Sequence, residues 1–275
     1  MIKDVVVYLS PAASDAGPRY AISLASTLGA HIVGIVFAFE PVIPASIMGG
    51  ISADLIDAQR SENEVAAKKA IDRFAQAAQA AGVSAETRLV NATLTGAADL
   101  FAQAARRFDI AVVAQAERDK IAAEELIAET TLFNSGRPVI VVPYIQQAGI
   151  KLDRTMLCWD GSRAAARAIG DAMPLLERAG RVEILVVATD KARRDATPGA
   201  GLRDHLARHG LKAEIMRMPG ADIDVPSAIL SYVADNAVDF IVMGGYGHSR
   251  LREFILGGVT RSMLKAMTVP TLMSH

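Results

Sequence analysis

Four glycines and one aspartate in the C-terminal half have the types and spacing that suit a phosphorylated ligand. Gly244 and Gly247 are separated by two residues, and nine further residues separate Gly247 from the pair Gly257 and Gly258. Glycine lets a backbone approach a ligand closely, and the N–H groups and dipole at a helix start favour phosphate. Asp160 follows an apolar run, where a carboxylate can accept from a ribose hydroxyl or help to hold a divalent cation.

These residues form a site only if the fold brings them together, and the sequence predicts a fold that does so. Short apolar runs alternate with helical patterns, which is typical of parallel strands covered by helices on both faces. Ligands of such sheets bind beyond the carboxyl ends of the strands, where Asp160 and Gly244 fall. The predicted strands are 4–9, 31–37, 84–90, 109–114, 138–143, 154–159, 182–188, 212–218, 239–244 and 269–273.

The order of these elements repeats, which indicates a duplication. Asp109 in FDIAVV matches Asp239 in VDFIVM, and Pro138 before VIVV matches Pro270 before TLM. The chain has 275 residues, enough for two domains of roughly 135. We therefore predict two tandem α/β domains, each with a five-stranded parallel sheet. The predicted domains are residues 1–147 and residues 151–275.

Composition excludes several classes of function. Hydrophobic residues make up 51% of the chain and charged residues 21%, so each half can bury a core. A net charge of -1 and 5% aromatic residues argue against a nucleic-acid partner. The one cysteine, Cys158, excludes an intrachain disulfide. Neither a membrane span nor a signal peptide is predicted, so we expect a cytoplasmic protein without a membrane partner.

The stretch from Met243 to Thr260, MGGYGHSRLREFILGGVT, together with Asp160 after a first strand, resembles the universal stress protein family. The resemblance covers nearly the whole chain as two tandem copies. It implies a Rossmann-like fold of the adenine-nucleotide α-hydrolase type. It also implies ATP or a related adenine nucleotide as ligand, together with Mg²⁺, and a regulatory role in the stress response. No catalytic residue and no protein metal site are predicted, and weak ATP hydrolysis stays open.

The resemblance implies a nucleotide site in the second copy. Asp160 is expected to face the ribose and the adenine beside Trp159, and Val187 to offer backbone contacts to the adenine. Met243 and Gly244 are expected to flank the ribose. The residues expected to line the phosphates are Gly247, Gly257, Gly258, Val259 and Thr260.

Four further positions near this motif either allow more than one role or differ from the family pattern. His248 and Arg250 either reach the phosphate oxygens or lie on an exposed loop. Family members carry Ser or Thr directly after the third glycine, where this chain has Gly258. The lost hydroxyl contact is worth ~0.5–1.5 kcal/mol, which weakens affinity by up to about tenfold. Ser162, two residues after Asp160, is expected to be a helix N-cap and not a nucleophile.

The first copy lacks most of these residues. Ser10 stands where the second copy has its aspartate, and AQAE at 114–117 replaces the glycine-rich turn. The stretch 124–130 contains no glycine, and Glu117 and Glu129 would bring negative charge toward a phosphate. We therefore predict that the first copy does not bind ATP in the manner of the family.

Other functions stay open at this point. A nucleotide-independent dimeric interaction scaffold is consistent with Gly258 and with the altered first copy. An adenylating ligase would need a further catalytic base or a substrate domain. The last strands of the two copies, 138–142 and 270–273, are apolar. The resemblance implies that they pair as an intrachain pseudo-dimer, and a further homodimer is expected.

Overall fold

The alternation of strands and helices predicted from the sequence is confirmed by the computed structural model. The structure describes residues 1–11, 15–40, 53–117, 123–188, 199–219, 224–245 and 258–275. The chain divides into two compact units, Ile2–Arg137 and Pro138–His275. Within the described ranges, no helix combines the length and the apolar character that crossing a bilayer requires.

In the first unit, four described strands form a parallel sheet in the order β3-β2-β1-β4. The strands are β1 (Asp4–Leu9), β2 (His31–Phe39), β3 (Ala85–Ala92) and β4 (Ile110–Ala114), and the helices are α1 (Ala16–Leu28), α2 (Ala53–Ala80), α3 (Leu94–Ala105) and α4 (Ala123–Asn134). The chain moves outward from β1 to β3 and then returns to place β4 on the other side of β1. The strand order therefore reverses between β1 and β4.

The second unit repeats this order and adds one strand from the end of the first repeat. Its strands are β5 (Val139–Val142), β6 (Arg154–Cys158), β7 (Arg181–Ala188), β8 (Ala213–Pro219), β9 (Phe240–Gly244) and β10 (Thr271–Ser274), and its helices are α5 (Arg163–Leu176), α6 (Ala200–Arg208), α7 (Val225–Asn236) and α8 (Val259–Ala266). The sheet order is β5-β10-β9-β6-β7-β8. The pair β5–β10 is antiparallel, and the other described pairs of this unit are parallel. This pairing confirms the prediction that the last strands of the two repeats meet.

The central strands are buried along most of their length, as their continuous apolar sequences predict. Every residue of β4 and β10 is buried, and only the first residue of β1 and the last of β9 are partly exposed. Helices that cover both faces of a parallel sheet account for this pattern. The core of each unit therefore lies on its central strands.

The aspartates that align between the repeats make the same contacts. Oδ2 of Asp109 accepts hydrogen bonds from the backbone N–H groups of Lys3, at 2.7 Å, and Asp4, at 3.0 Å. Oδ2 of Asp239 accepts from the N–H groups of residues 153 and 154, at 3.1 and 3.2 Å. In each unit a carboxylate before the fourth strand of the repeat thus binds the chain at the start of the first strand.

A buried charged network holds the amino end of the sheet in the second unit. The side chain of Glu183 is fully buried, and its carboxylate lies 2.7 Å from an Arg154 guanidinium nitrogen and 3.0 Å from that of Arg181. The Tyr232 hydroxyl donates to the same carboxylate at 2.9 Å. Such contacts offset the cost of burying a charge. Because Arg154 and Arg181 begin their strands, this network lies away from the carboxyl ends.

At the carboxyl edge, the end of β9 presses against the start of α5. A Cβ atom added to Gly244 would lie 2.5 Å from the Ala165 nitrogen and 2.7 Å from the Ala164 carbonyl carbon. In the first unit, the end of β4 approaches the start of α1 in the same way, but here the glycine belongs to the helix and not to the strand. A Cβ added to Gly17 of α1 would lie 3.1 Å from the nitrogen of Ala114, at the end of β4. The second repeat thus needs a residue without a side chain at this contact, and the first repeat leaves little room for one.

We expect Gly244→Ala to lower the free energy of unfolding of the second unit by about 1–3 kcal/mol, the usual cost of overpacking. Gly17→Ala should cost the first unit less, because its nearest contacts are longer. Gly170→Ala in α5 is the matched control. A Cβ there meets nothing within 4 Å, so alanine should stabilise the helix by about 0.5–1 kcal/mol. Urea unfolding measures all three, and wild-type stability for Gly244→Ala would contradict the contact.

Candidate functional site

The candidate site lies at the carboxyl ends of β6, β7 and β9 in the second unit. The strand order reverses between β6 and β9, which are neighbours in the sheet. This is the position at which open parallel sheets bind ligands. Trp159 and Asp160 directly follow β6, Val187 is the next-to-last residue of β7, and Gly244 ends β9. The predicted residues from three separate strands thus meet one edge of the sheet.

The turn after β6 is held by hydrogen bonds to the side chains of two of its own residues, Asp160 and Ser162. The Ser162 N–H donates to Oδ1 of Asp160 at 2.9 Å, and the Ala165 N–H donates to Oγ of Ser162 at 3.1 Å. Gly161 has a φ of 74°, which glycine adopts without strain. Ser162 is therefore the N-cap of α5, as predicted. Asp160 is exposed, so this turn presents its carboxylate at the sheet edge.

The backbone of Val187 faces the space beyond the end of β6. The register of β6 with β7 ends at Cys158 and Leu185, and the Trp159 N–H donates to the Leu185 carbonyl at 3.0 Å. Peptide groups two residues apart on a strand point to the same side. The N–H and C=O groups of Val187 therefore point where those of Leu185 do, past the end of β6. This orientation suits recognition of the edge of a flat base.

The end of β9 contributes backbone groups. Met243 is 4% exposed, so its side chain belongs to the core. The contact with α5 leaves no room for a side chain at Gly244. The Gly245 N–H donates to the Ser274 carbonyl at 2.8 Å, and Nδ1 of His275 lies 3.1 Å from the Gly245 carbonyl oxygen. The last residues of the chain thus fix the turn that leaves β9.

The start of α8 adds a helix N-terminus to the same edge, since a helix that connects two parallel strands begins at their carboxyl ends. Gly258 is the N-cap, with φ -57° and ψ 149°, and has no side chain to accept from the first turn. Thr260 is buried, and Val259 is half-buried. The N–H groups of a first helical turn have no partners within the helix and attract anions. The start of α8 can therefore hold a phosphate group.

Four of the predicted site residues lie outside the described part of the chain. They are Gly247, His248, Arg250 and Gly257. The described ones are Trp159, Asp160, Val187, Met243, Gly244, Gly258, Val259 and Thr260, all at strand ends or at the start of α8.

The donor set fits a magnesium ion that arrives with a nucleotide. Among the described residues, no group of three or more His, Cys, Asp or Glu side chains is arranged to hold a metal. Mg²⁺ commonly binds one or two carboxylates and completes its shell with water and substrate phosphates. Asp160, exposed beside the start of α5, supplies one such carboxylate. His205 and His209, four residues apart on α6 and its C-cap, are both exposed.

In the first unit, the helix that corresponds to α8 begins one turn earlier. Pro138 and Pro270 align at the starts of the last strands, and the same offset places Ile127 opposite Val259, the first residue of α8. The helix α4, however, begins at Ala123. One extra helical turn thus occupies the place where the second repeat has Gly257 and Gly258 in its sequence.

That extra turn carries a buried carboxylate that sequence reasoning missed. Glu124 is 5% exposed, and Gln115, directly after β4, is 3% exposed. Burial raises the pKa of Tyr8 in β1, and the nearby carboxylate of Glu124 raises it further. The predicted repulsive residues, Glu117 and Glu129, are only half-buried. By the same offset Glu124 aligns with Leu256, directly before the glycine pair, and this position was the available signal.

Cys158 offers a chemical probe of the site, because it lies directly before Trp159 and is the one cysteine of the chain. Burial raises the pKa of its thiol to about 12, and the carboxylate of Asp160 adds to the shift. At pH 8 the thiolate fraction should be about a thousandfold below that of an ordinary thiol. We expect slow modification by a disulfide reagent that accelerates about tenfold per pH unit, and Asp160→Asn should speed it.

Glu177→Gln, which removes an exposed carboxylate near the end of α5, is the matched control and should leave the rate unchanged. A native rate equal to that of the unfolded protein would contradict the environment described for Cys158.

Comparison with known proteins identifies the second repeat. Residues 151–275 match the model of the Universal stress protein family. A universal stress protein of Synechocystis is 27% identical over 139 residues, which are 50% of this chain and 46% of that relative. The match thus spans less than half the length of this curated relative.

Solved structures extend the likeness in fold to the whole chain. A universal stress protein from Archaeoglobus fulgidus has a TM-score of 0.72 and 19% identity, covering 98% of this chain and 97% of its own. A functionally unknown protein from Pseudomonas aeruginosa PAO1 has a TM-score of 0.61 and 14% identity, covering 99% and 92%. At these identities the likeness concerns the fold alone. Residues 151–275 therefore form a domain of the universal stress protein family.

Proposed function

We propose that the second unit binds ATP or a related adenine nucleotide with Mg²⁺, and that the protein acts through this binding as a cytoplasmic stress-response regulator. One observation carries the proposal. The start of α8, whose N-cap Gly258 has no side chain, and the exposed carboxylate of Asp160 share the edge where the strand order reverses. A phosphate and a ribose hydroxyl are the groups that these two features recognise.

In this proposal each part of the nucleotide contacts its own element. The adenine edge faces the backbone of Val187, whose peptide groups point past the end of β6. The ribose hydroxyls donate to Asp160, which the turn to Ser162 holds in place. The phosphates lie at the first turn of α8, at Val259 and Thr260. Mg²⁺ bound to the phosphates would complete its shell with water.

The first unit, in this proposal, keeps the fold and does not take the nucleotide. Glu124 and the extra turn of α4 stand where the phosphates would lie. A buried carboxylate at that place repels a polyphosphate strongly, because the low dielectric of the interior strengthens the interaction between like charges. One nucleotide per chain is the expected stoichiometry.

A nucleotide-independent scaffold is the second candidate, and a specific observation favours it. The position of the family's Ser or Thr is Gly258, which offers the phosphates no hydroxyl. A protein of this kind would act through its surfaces as a homodimer, the assembly that the family resemblance implies. Nucleotide titration separates the two candidates.

The charge at the start of α8 gives the sharpest test. Gly258→Asp and Gly258→Ser both supply an oxygen that caps the helix, but only Asp adds a negative charge. We expect Gly258→Asp to stabilise α8 and to weaken Mg-ATP binding at least about tenfold. Gly258→Ser should strengthen binding by up to about tenfold, the worth of one hydrogen bond. Isothermal titration calorimetry measures both affinities.

Two further variants serve as a matched pair at the ends of the first strands. Asp160→Ala in the second unit should weaken Mg-ATP binding, whereas Ser10→Ala in the first unit should leave it unchanged. An absence of heat and of any thermal shift for the wild type at millimolar Mg-ATP would reject nucleotide binding and favour the scaffold.

A further inference from the structure

The outer strand of the first unit, β3, presents an open edge. Among the described strands it pairs with β2 alone, so β3 ends the sheet on this side. The first four residues of β3 are exposed, whereas β2 beside it is buried along all but its two ends. Because neighbouring residues of a strand point to opposite faces, the described chain covers neither face of this part of β3. A second strand therefore has room to approach.

The hydrogen bonds between β2 and β3 show which peptide groups of β3 point outward. The Ile32 N–H donates to the Ser84 carbonyl at 3.1 Å. The Glu40 N–H donates to the Ala92 carbonyl at 2.9 Å. Even-numbered residues of β3 thus turn their peptide groups toward β2, and odd-numbered residues turn theirs away. The outward-facing peptide groups of the strand belong to residues 85, 87, 89 and 91.

Two opposite charges lie on one face of this edge, two residues apart. A guanidinium nitrogen of Arg88 lies 3.6 Å from the carboxylate of Glu86 in the same strand. Nε2 of His31 lies 3.8 Å from that carboxylate. The side chains of Glu86 and Arg88 are 61% and 46% exposed, so both are accessible to a partner strand.

A second copy of β3 supplies the matching charges in one register. Two identical antiparallel strands are related by a two-fold axis normal to their sheet, which makes their contacts reciprocal. With Thr87 opposite Thr87 of the second copy, Glu86 faces Arg88 and Arg88 faces Glu86. The outward peptide groups of Thr87 then bond each other, and Leu89 lies beside Ala85 on the opposite face. A pair centred on Glu86 or on Arg88 would instead place like charges directly opposite, which is unfavourable.

The outer strand of the second unit, β8, lacks this self-complementary pattern. Its charged residues, Glu214 and Arg217, are three residues apart and therefore lie on opposite faces. Because a two-fold antiparallel pair brings together residues of the same face, Glu214 cannot face Arg217 of a second copy. Glu214 is also paired with Arg181 of β7, at 2.6 Å.

We propose that β3 pairs antiparallel with β3 of a second copy of this chain, in a two-fold homodimer centred on Thr87. The last strands of the two repeats already pair with each other, as β5 and β10, so this contact uses a different strand. Reciprocal contacts of Glu86 with Arg88 fix its register, and outward peptide groups supply its hydrogen bonds. A short edge with exposed ion pairs gives a weak dimer that weakens further with salt. The proposal does not depend on nucleotide binding.

Charge reversal tests the register. Glu86→Arg and Arg88→Glu each place like charges opposite one another and should weaken the dimer about tenfold or more. The double variant E86R/R88E, and an equimolar mixture of the two single variants, bring opposite charges together again and should restore association. Arg217→Glu, on the exposed part of β8, is the matched control and should leave association unchanged. Sedimentation equilibrium measures each affinity, and circular dichroism verifies that each variant folds.

Thr87→Pro tests the strand ladder without changing a charge. The Thr87 N–H points away from β2, so proline removes no hydrogen bond between these two strands. It removes a donor at the centre of the proposed pair. The variant should keep the circular dichroism spectrum of the wild type and should dimerise at least about tenfold more weakly.

Three results would overturn the proposal. The first is a wild type that remains monomeric up to about 1 mM. The second is a dimer whose affinity is unchanged by both charge reversals and by Thr87→Pro. The third is a dimer that the single reversals weaken but that neither the double variant nor the mixture restores.

Discussion

The approach of β9 to the start of α5 is the contact on which the carboxyl edge of the second unit depends. With no side chain at Gly244, the strand end comes so close to Ala164 and Ala165 that even a methyl group would overlap their backbone. The same helix start is capped by Ser162, which Asp160 in turn engages. Strand end, helix start and carboxylate are thus fixed together, and a ligand meets a surface whose backbone is already in place.

The two repeats share this backbone scaffold but differ in the side chains at the carboxyl ends of their strands. Asp109 and Asp239 bind equivalent backbone groups in the two units, and the close contact of strand and helix persists with Gly17 in place of Gly244. At the same edge, however, one repeat buries Glu124 and the other exposes Asp160. A fold needs only its packing and backbone hydrogen bonds, so the residues at the strand ends are able to diverge.

Much of the fold could be predicted from the sequence, because buried parallel strands are continuous apolar runs and because two copies confirm each other. The strand predicted at 31–37 extends over His31–Phe39, and that predicted at 269–273 extends over Thr271–Ser274. The burial of Glu124 and the move of the glycine to Gly17 were not predictable, since they depend on which elements touch. The cap role of Ser162 is local and is confirmed, whereas the nucleotide contacts remain predictions.

In the function proposed above, a nucleotide's phosphates lie at the start of α8 in the second unit and are excluded from α4 in the first. Amide hydrogen exchange with and without Mg-ATP tests it directly, because bound amides exchange more slowly. We expect slower exchange at Val259, Thr260 and Val187, and unchanged exchange over residues 123–127. Slower exchange at the start of α4, or no change at the start of α8, would contradict it.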